Sequence, residues 1–168
     1  GKGTQVNLLM DLLKAKDGKE IVYAYPGAEF RNLIESESYT GSLVRDSLHR
    51  GELQPNFLTN SIFANILMTS LTNEKHLIAD GYPRTLVQSE NFEAMMTFYN
   101  RENVKIIYIE LSKEEAMTRN LKRGRKDDTE EGLARRFAEY ENNVIPAMHY
   151  FKGQPNYEPY TINGEQSI

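Results

Sequence analysis

The sequence predicts an α/β fold: a doubly wound parallel sheet with flanking helices, built as one domain over residues 1–168. Three observations carry this. Short β-rich runs alternate with helical stretches along the whole chain, the pattern of parallel strands joined by helical crossovers. The run "VKIIYIEL" (104–111) is almost continuously apolar and rich in β-branched residues, as in a strand buried on both faces of such a sheet. The turn segment "DGYPRT" (80–85) directly follows a strand-like run, at the carboxyl end where open parallel sheets hold their ligands.

The elements follow in order. Val6, Leu9, Met10 and Leu13 share one face of a first helix. "EIVYAY" (20–25) reads as a short strand ended by Pro26-Gly27. Residues 28–34 form a short helix with Phe30, Leu33 and Ile34 as its apolar face, and "YTGSLVRDSLHRGEL" forms a second, stopped by Gly51. Pro55 opens the long apolar helix "NFLTNSIFANILMTSL". "HLIAD" is a buried strand, and a helix at about 86–99 follows its turn. After the 104–111 strand, Ser112 caps a helix through "SKEE", a capping-box pattern. A long helix is expected over about 129–150, interrupted at Pro146, and "YEPYTING" supplies the last short strand and turn.

Composition narrows the chemistry. The absence of cysteine excludes disulfides and thiolate metal sites, and fits a cytoplasmic location. The three histidines, His49, His76 and His149, have no metal-ligand spacing. No run approaches ~20 apolar residues, so no membrane span is expected, and no leader peptide is read. A net charge of -4 argues against nucleic-acid binding. Yet "RNLKRGRK" (119–126) carries five cations and no anion, which suits a local anionic ligand or, equally, a solvated helix end.

Three segments can carry chemistry. "GKGT" (1–4) runs into a helix, so glycines, Lys2 and a helix N-terminus could hold phosphate; alone it also reads as a frayed terminus. In "DGYPRT", Asp80 ends a strand and could hold a hydrated Mg²⁺, while Arg84 could clamp a phosphate; an ordinary strand-end turn is the alternative. In "RNLKRGRKDDTEEGLARRF", Arg119 and Arg123 share a helix face, Arg125 lies beyond Gly124, and Arg135 and Arg136 open the next helix. Guanidinium groups around a short loop suit a transferring phosphoryl group, although a solvated charge run has the same composition.

Together these motifs, in this order and spacing, resemble the adenylate kinases over nearly the whole chain. "DGYPRT" is similar to the family's Asp-Gly-Phe-Pro-Arg-Thr, and the arginine segment looks like a version with a very short lid and no zinc-ribbon insertion. The resemblance implies a P-loop NTPase-like fold with a monophosphate-binding segment at about 26–57 and a lid at about 120–130. It implies transfer of the γ-phosphoryl group of Mg·ATP to AMP, without zinc, by a monomer with no nucleic-acid or membrane partner. Gly1, Lys2, Gly3 and Thr4 would cradle the ATP phosphates, Arg119 and Gln166 would lie near the ATP base, and Arg123 would meet phosphate. Arg31 would hold the acceptor phosphate. Glu52, Leu53, Gln54, Gly81, Tyr82, Pro83, Arg84 and Gln88 would form the acceptor pocket, with Gln88 reading adenine. Arg125 and Arg136 would bridge the reacting phosphates, and Asp80 would hold the hydration shell of Mg²⁺. Lys2, Asp80, Arg84, Arg123, Arg125 and Arg136 would form the catalytic set.

The chain also departs from the family's pattern. Where the family reads Ser-Thr-Gly-Asp, this chain has "YPGA", with Pro26 for the threonine and Ala28 for the aspartate. The family's first, central strand is not found ahead of Gly1, and "NGEQSI" stops where a helix would begin, so both edges are expected to be cut. A gap between two strands is then expected in the middle of the sheet. Alternatives to an active enzyme are a non-catalytic nucleotide-binding module, an inactive fragment of the same fold, or a kinase for another nucleoside monophosphate.

Overall fold

The computed structural model describes residues 1–124 and 129–166. Helix α1 (Lys2–Asp17) ends at Gly18, whose left-handed backbone (φ 69°) lets its N–H close on Lys14 O. Its expected stripe of Val6, Leu9, Met10 and Leu13 is the partly buried side, yet no α1 residue is fully buried. Strand β1 (Ile21–Ala24) follows, with Val22 and Ala24 turned into the core and Tyr23 to the opposite side. Pro26-Gly27, expected as a terminating turn, instead opens α2 (Pro26–Glu35), where Pro26 takes the first-turn position that needs no N–H.

Helix α3 (Tyr39–His49) starts at Ser38, whose hydroxyl accepts from Gly41 N at 3.0 Å. It packs tightly on α2 through Gly41. After Gly51, α4 (Asn56–Ser70) leads to β2 (His76–Ala79), which pairs in parallel with β1 from Ile21 opposite His76 to Ala24 opposite Ala79. Helix α5 (Leu86–Phe98) returns the chain to β3 (Val104–Glu110), which pairs in parallel with β4 (Tyr157–Asn163). Pro159 is tolerated in β4 because that strand lies at a sheet edge.

Among the described residues the strands form two parallel pairs, β1-β2 and β3-β4, with no backbone pairing between the pairs. This agrees with the expected gap, and it corrects the expected burial. β2 is half-buried throughout, and β3 alternates, leaving Ile107 48% exposed. Strands with one neighbour and incomplete cover cannot bury both faces. The two pairs share one core instead. Phe92 of α5 lies 6.0 Å from Phe63, 6.1 Å from Tyr82, 5.9 Å from Phe151 and 6.5 Å from Tyr157, ring centre to ring centre. Val22 of β1 and Tyr157 of β4 both belong to this cluster, so apolar packing joins what hydrogen bonds do not.

The remaining helices carry two corrections. The expected long helix is α7 (Glu130–Glu139), a π-helical turn (Tyr140–Val144) and α8 (Ile145–Tyr150), with Pro146 placed harmlessly in the first turn of α8. In α6 (Lys113–Arg123) Ser112 does accept from Glu115 N, but the reciprocal half of the capping box is not made. Glu115 pairs with Arg119 at 2.6 Å, and the Ser112 N–H donates to Glu165 at 3.1 Å. Among the described residues no helix is long and apolar enough to cross a membrane.

A Cβ at Gly41 would lie 2.1 Å from Leu33 O and 2.9 Å from Ser36 O, both fixed backbone atoms. On an open helix surface Gly→Ala stabilises by about 1 kcal/mol. Here overpacking should outweigh that gain, and Gly41→Ala should destabilise by about 1–3 kcal/mol. Urea denaturation is the check: an unchanged or higher midpoint would show that α2 and α3 are not in tight contact.

Candidate functional site

Because Ala24 stands opposite Ala79, the chain leaves β1 and β2 side by side at the same edge. One exit carries Tyr25 and α2, the other Asp80 and the "GYPRT" turn. Asp80 is only 5% exposed, and a buried carboxylate must be paired to stay charged at tolerable cost. It is paired twice. Oδ1 lies 2.5 Å from Lys2 Nζ, and Oδ2 accepts the Tyr23 hydroxyl at 2.6 Å. Lys2 reaches it from the first turn of α1, with its side chain half exposed.

Gly81 has φ +70°, and a Cβ there would meet Arg84 Nη2 at 2.6 Å and Lys2 Nζ at 3.2 Å. Two cations therefore crowd onto one glycine. Arg84 is tethered by Nε donating to Gly81 O at 2.7 Å. The residue as a whole stays accessible, but the protein atoms around its head lower its pKa through desolvation; Tyr25 and Asp80 oppose this, and Arg136 adds a smaller like-charge repulsion. It remains a cation all the same. Arg31, Arg84, Arg136 and Lys2 thus come from α2, the β2 turn, α7 and α1. Gly51 (φ +75°) helps set this arrangement, since a Cβ there would come within 2.8 Å of Gly132 O at the start of α7.

The other expected acceptor residues divide. Gln88 is 2% exposed, its Oε1 accepting from Arg84 N at 2.8 Å and its Nε2 donating to Asn56 Oδ1 at 3.0 Å. Since a backbone N–H can only donate, these partners fix which way the amide points. Asn56 also accepts the Thr85 hydroxyl at 2.8 Å. Gln54 is buried and paired with Ser47, Leu53 is half-buried, and exposed Glu52 is bound to Arg50 at 2.7 and 2.9 Å. Pro83 is half-buried, and Tyr82 is a core residue, stacked on Phe63 at 4.1 Å with its hydroxyl donating to Asn60 at 2.8 Å.

On the expected ATP side, Arg119 Nη1 donates to Gly164 O at 2.9 Å and Nη2 to Gln166 O at 3.5 Å, which brings Arg119 and Gln166 together. Gly1, Gly3 and Thr4 are exposed at the start of α1. Arg125 and the side chain of Arg123 lie outside the described residues. Sequence reasoning missed Tyr23, Tyr25 and Asn56. The signal for the tyrosines was available: residues two apart on a strand share a face, and that strand precedes Arg31.

A family model described as Adenylate kinase matches residues 1–156. An adenylate kinase of Prochlorococcus marinus (strain MIT 9301) is 31% identical over 153 residues, covering 90% of this chain and 79% of that protein. One of Bacteroides fragilis (strain YCH46) is 31% identical over 168 residues, covering 98% and 84%. One of Cyanothece sp. (strain PCC 7425 / ATCC 29141) is 32% identical over 171 residues, covering 99% and 83%.

The Asp80 pairing has a consequence at high pH. Burial first, then the hydrogen bond to the Asp80 carboxylate, raises the Tyr23 phenol above its ordinary 10.0. The unfolded chain then loses that proton before the folded one does. The stabilisation is intact below pH 10.0 and is lost as pH rises toward the folded value. Tyr23→Phe should therefore reduce the alkaline loss of stability, measured by denaturation at a series of pH values from about 9 upward. An unchanged slope would mean that burial and the Asp80 hydrogen bond do not raise this phenol in the folded protein.

Proposed function

This chain belongs to the adenylate kinase family, and we propose that it transfers the γ-phosphoryl group of ATP to AMP, giving two ADP, with Mg²⁺ bound beside ATP. The observation that carries the reading is the gathering of cations from distant parts of the chain around the carboxyl ends of β1 and β2. Lys2 pairs with the buried carboxylate of Asp80, Arg84 lies beside both at Gly81, Arg136 is near enough to Arg84 to repel it, and Arg31 stands on Tyr25. A site with that excess of positive charge suits polyphosphates.

The roles follow from the chemistry of phosphoryl transfer, which needs positioning and charge stabilisation more than a protein nucleophile. An oxygen of the acceptor phosphate attacks the γ-phosphorus, and the β–γ bridging oxygen leaves with ADP. Lys2, at the N-terminus of α1, offers a compact charge and open helix N–H groups to the ATP phosphates, with Gly1, Gly3 and Thr4 beside it. Arg31 and Arg84 hold the acceptor phosphate. Arg136, with Arg123 and Arg125, neutralises charge on the transferring group. Arg119 and Gln166 flank the ATP base. Gln88 is given the reading of the acceptor base, its amide already oriented by Arg84 N and Asn56.

Asp80, a hard carboxylate oxygen donor at the end of β2, fits a magnesium ion and would be the residue that helps hold it. Bound there, Mg²⁺ would supply charge neutralisation on the β- and γ-phosphate oxygens.

The test is ADP formation from Mg·ATP with AMP, CMP, UMP and GMP in turn. Turnover confined to AMP is expected, and equal rates with a pyrimidine monophosphate would overturn the acceptor assignment. Nucleotide binding without any turnover would favour a non-catalytic module. Arg84→Ala should lower kcat/KM on the order of 10²-fold or more, as removal of a charge-stabilising donor does. Near-normal turnover in that variant would remove Arg84 from the reaction.

A further inference from the structure

We propose that Tyr25 is a positioning residue for the acceptor monophosphate, acting by holding the Arg31 guanidinium ready for the phosphate; this rests on the role given to Arg31 above. Tyr25 stands between β1 and α2, six residues before Arg31. It holds the arginine in two ways. Arg31 Nη1 donates to the Tyr25 hydroxyl at 3.2 Å, and Arg31 Cζ lies over the same ring, 5.1 Å from its centre. A hydroxyl and a π face on one rigid side chain fix both the position and the tilt of a planar cation.

The ring is itself braced. It stacks on Tyr23 with centres 5.7 Å apart and planes within 23°, and the Tyr23 hydroxyl is bonded to Asp80. The surface that carries Arg31 is thus referenced to the carboxylate that also holds Lys2. It packs closely on Gly27 too, where a Cβ would come within 2.6 Å of Tyr25 Cε2.

Charge explains why a phenol serves here. Ala28 stands where the family's pattern has an aspartate, and among the described residues Arg31 has no carboxylate partner. A carboxylate would orient the guanidinium but spend its charge. A neutral phenol orients it and leaves the charge for the phosphate. Arg31 is otherwise a long, exposed side chain, and its ordering on binding would cost affinity that pre-positioning spares.

The experiment measures kcat and both KM values in the full protein for wild type, Tyr25→Phe, Tyr25→Leu, Arg31→Ala and the double variant Tyr25→Leu/Arg31→Ala. Tyr25→Phe keeps the ring and loses the hydroxyl, and should raise KM for AMP about threefold to tenfold. Tyr25→Leu loses both contacts and should raise it roughly tenfold or more. KM for ATP should stay within about twofold of wild type, because binding to the acceptor is what is lost. In the Arg31→Ala background Tyr25→Leu should add nothing, since its effect passes through Arg31. An unchanged KM for AMP in both Tyr25 variants, or an equal rise with and without Arg31, would overturn the proposal. If Tyr25→Leu does not fold, Tyr25→Phe alone decides. Wild-type protein that phosphorylates no monophosphate would instead overturn the reaction proposed above.

Discussion

The parallel register of β1 on β2 is the constraint on which the rest of the site depends. Four backbone pairings, ending at Ala24 opposite Ala79, bring Tyr25 and Asp80 out at one edge. A slip of one residue would turn Tyr23 into the core and Val22 toward Lys2, because side chains alternate faces along a strand. That slip would lose the only phenol bonded to Asp80 among the described residues and bury a hydroxyl among aromatic rings. What protects the register is the core beneath it, where Val22 and Ala24 pack into the cluster centred on Phe92. The edge that carries Tyr25 and Asp80 is thus set by apolar residues on the opposite face of the same strands.

The site that results is unbalanced by design of its sequence. Asp80 is a single buried acid, and it is shared by Lys2 and Tyr23. Arg84 and Arg136 are close enough to repel, and desolvation around the head of Arg84 adds to the cost of its charge. A folded protein tolerates such an arrangement only where the neighbours over-determine it, as the tether from Arg84 to Gly81 and Gln88 does. A polyanionic ligand would add a counter-charge to Arg84 and Arg136 beyond that of Asp80. Binding and catalysis would then draw on the same electrostatic term, since the charge that builds on transferring oxygens meets dipoles and cations already in place.

Much of this was legible in the sequence, and the failures have physical causes. β1, β2, α4 and α5 were readable as β-rich or long apolar runs set beside Gly or Pro: Pro26 after β1, Gly81 after β2, Pro55 before α4 and Pro83 before α5. Asp80 and Arg84 were readable because a strand followed by Gly-x-Pro-Arg is a local pattern. Pro26 was misread because proline ends strands and begins helices alike, and only the following residues decide which. The exposure of β3 was misread because a β-branched run states what a strand would bury, not whether neighbours exist to cover it. The orientation of Gln88 could not be read at all, since its partner Asn56 lies 32 residues away.

Tyr25 is the instructive case. In the sequence it is one aromatic residue in a β-rich run, a position that propensity alone explains. Its importance emerges only when three facts meet: it shares a face with Tyr23, it precedes a helix whose next turn carries Arg31, and Ala28 offers that arginine no counter-charge. A family pattern compared position by position would score this segment as degraded, with a threonine and an aspartate lost. The contacts support a different account, in which an aromatic brace takes over the orienting role of a carboxylate and leaves the guanidinium unneutralised. On that account the change at Ala28 would alter how Arg31 is oriented without removing the cation itself.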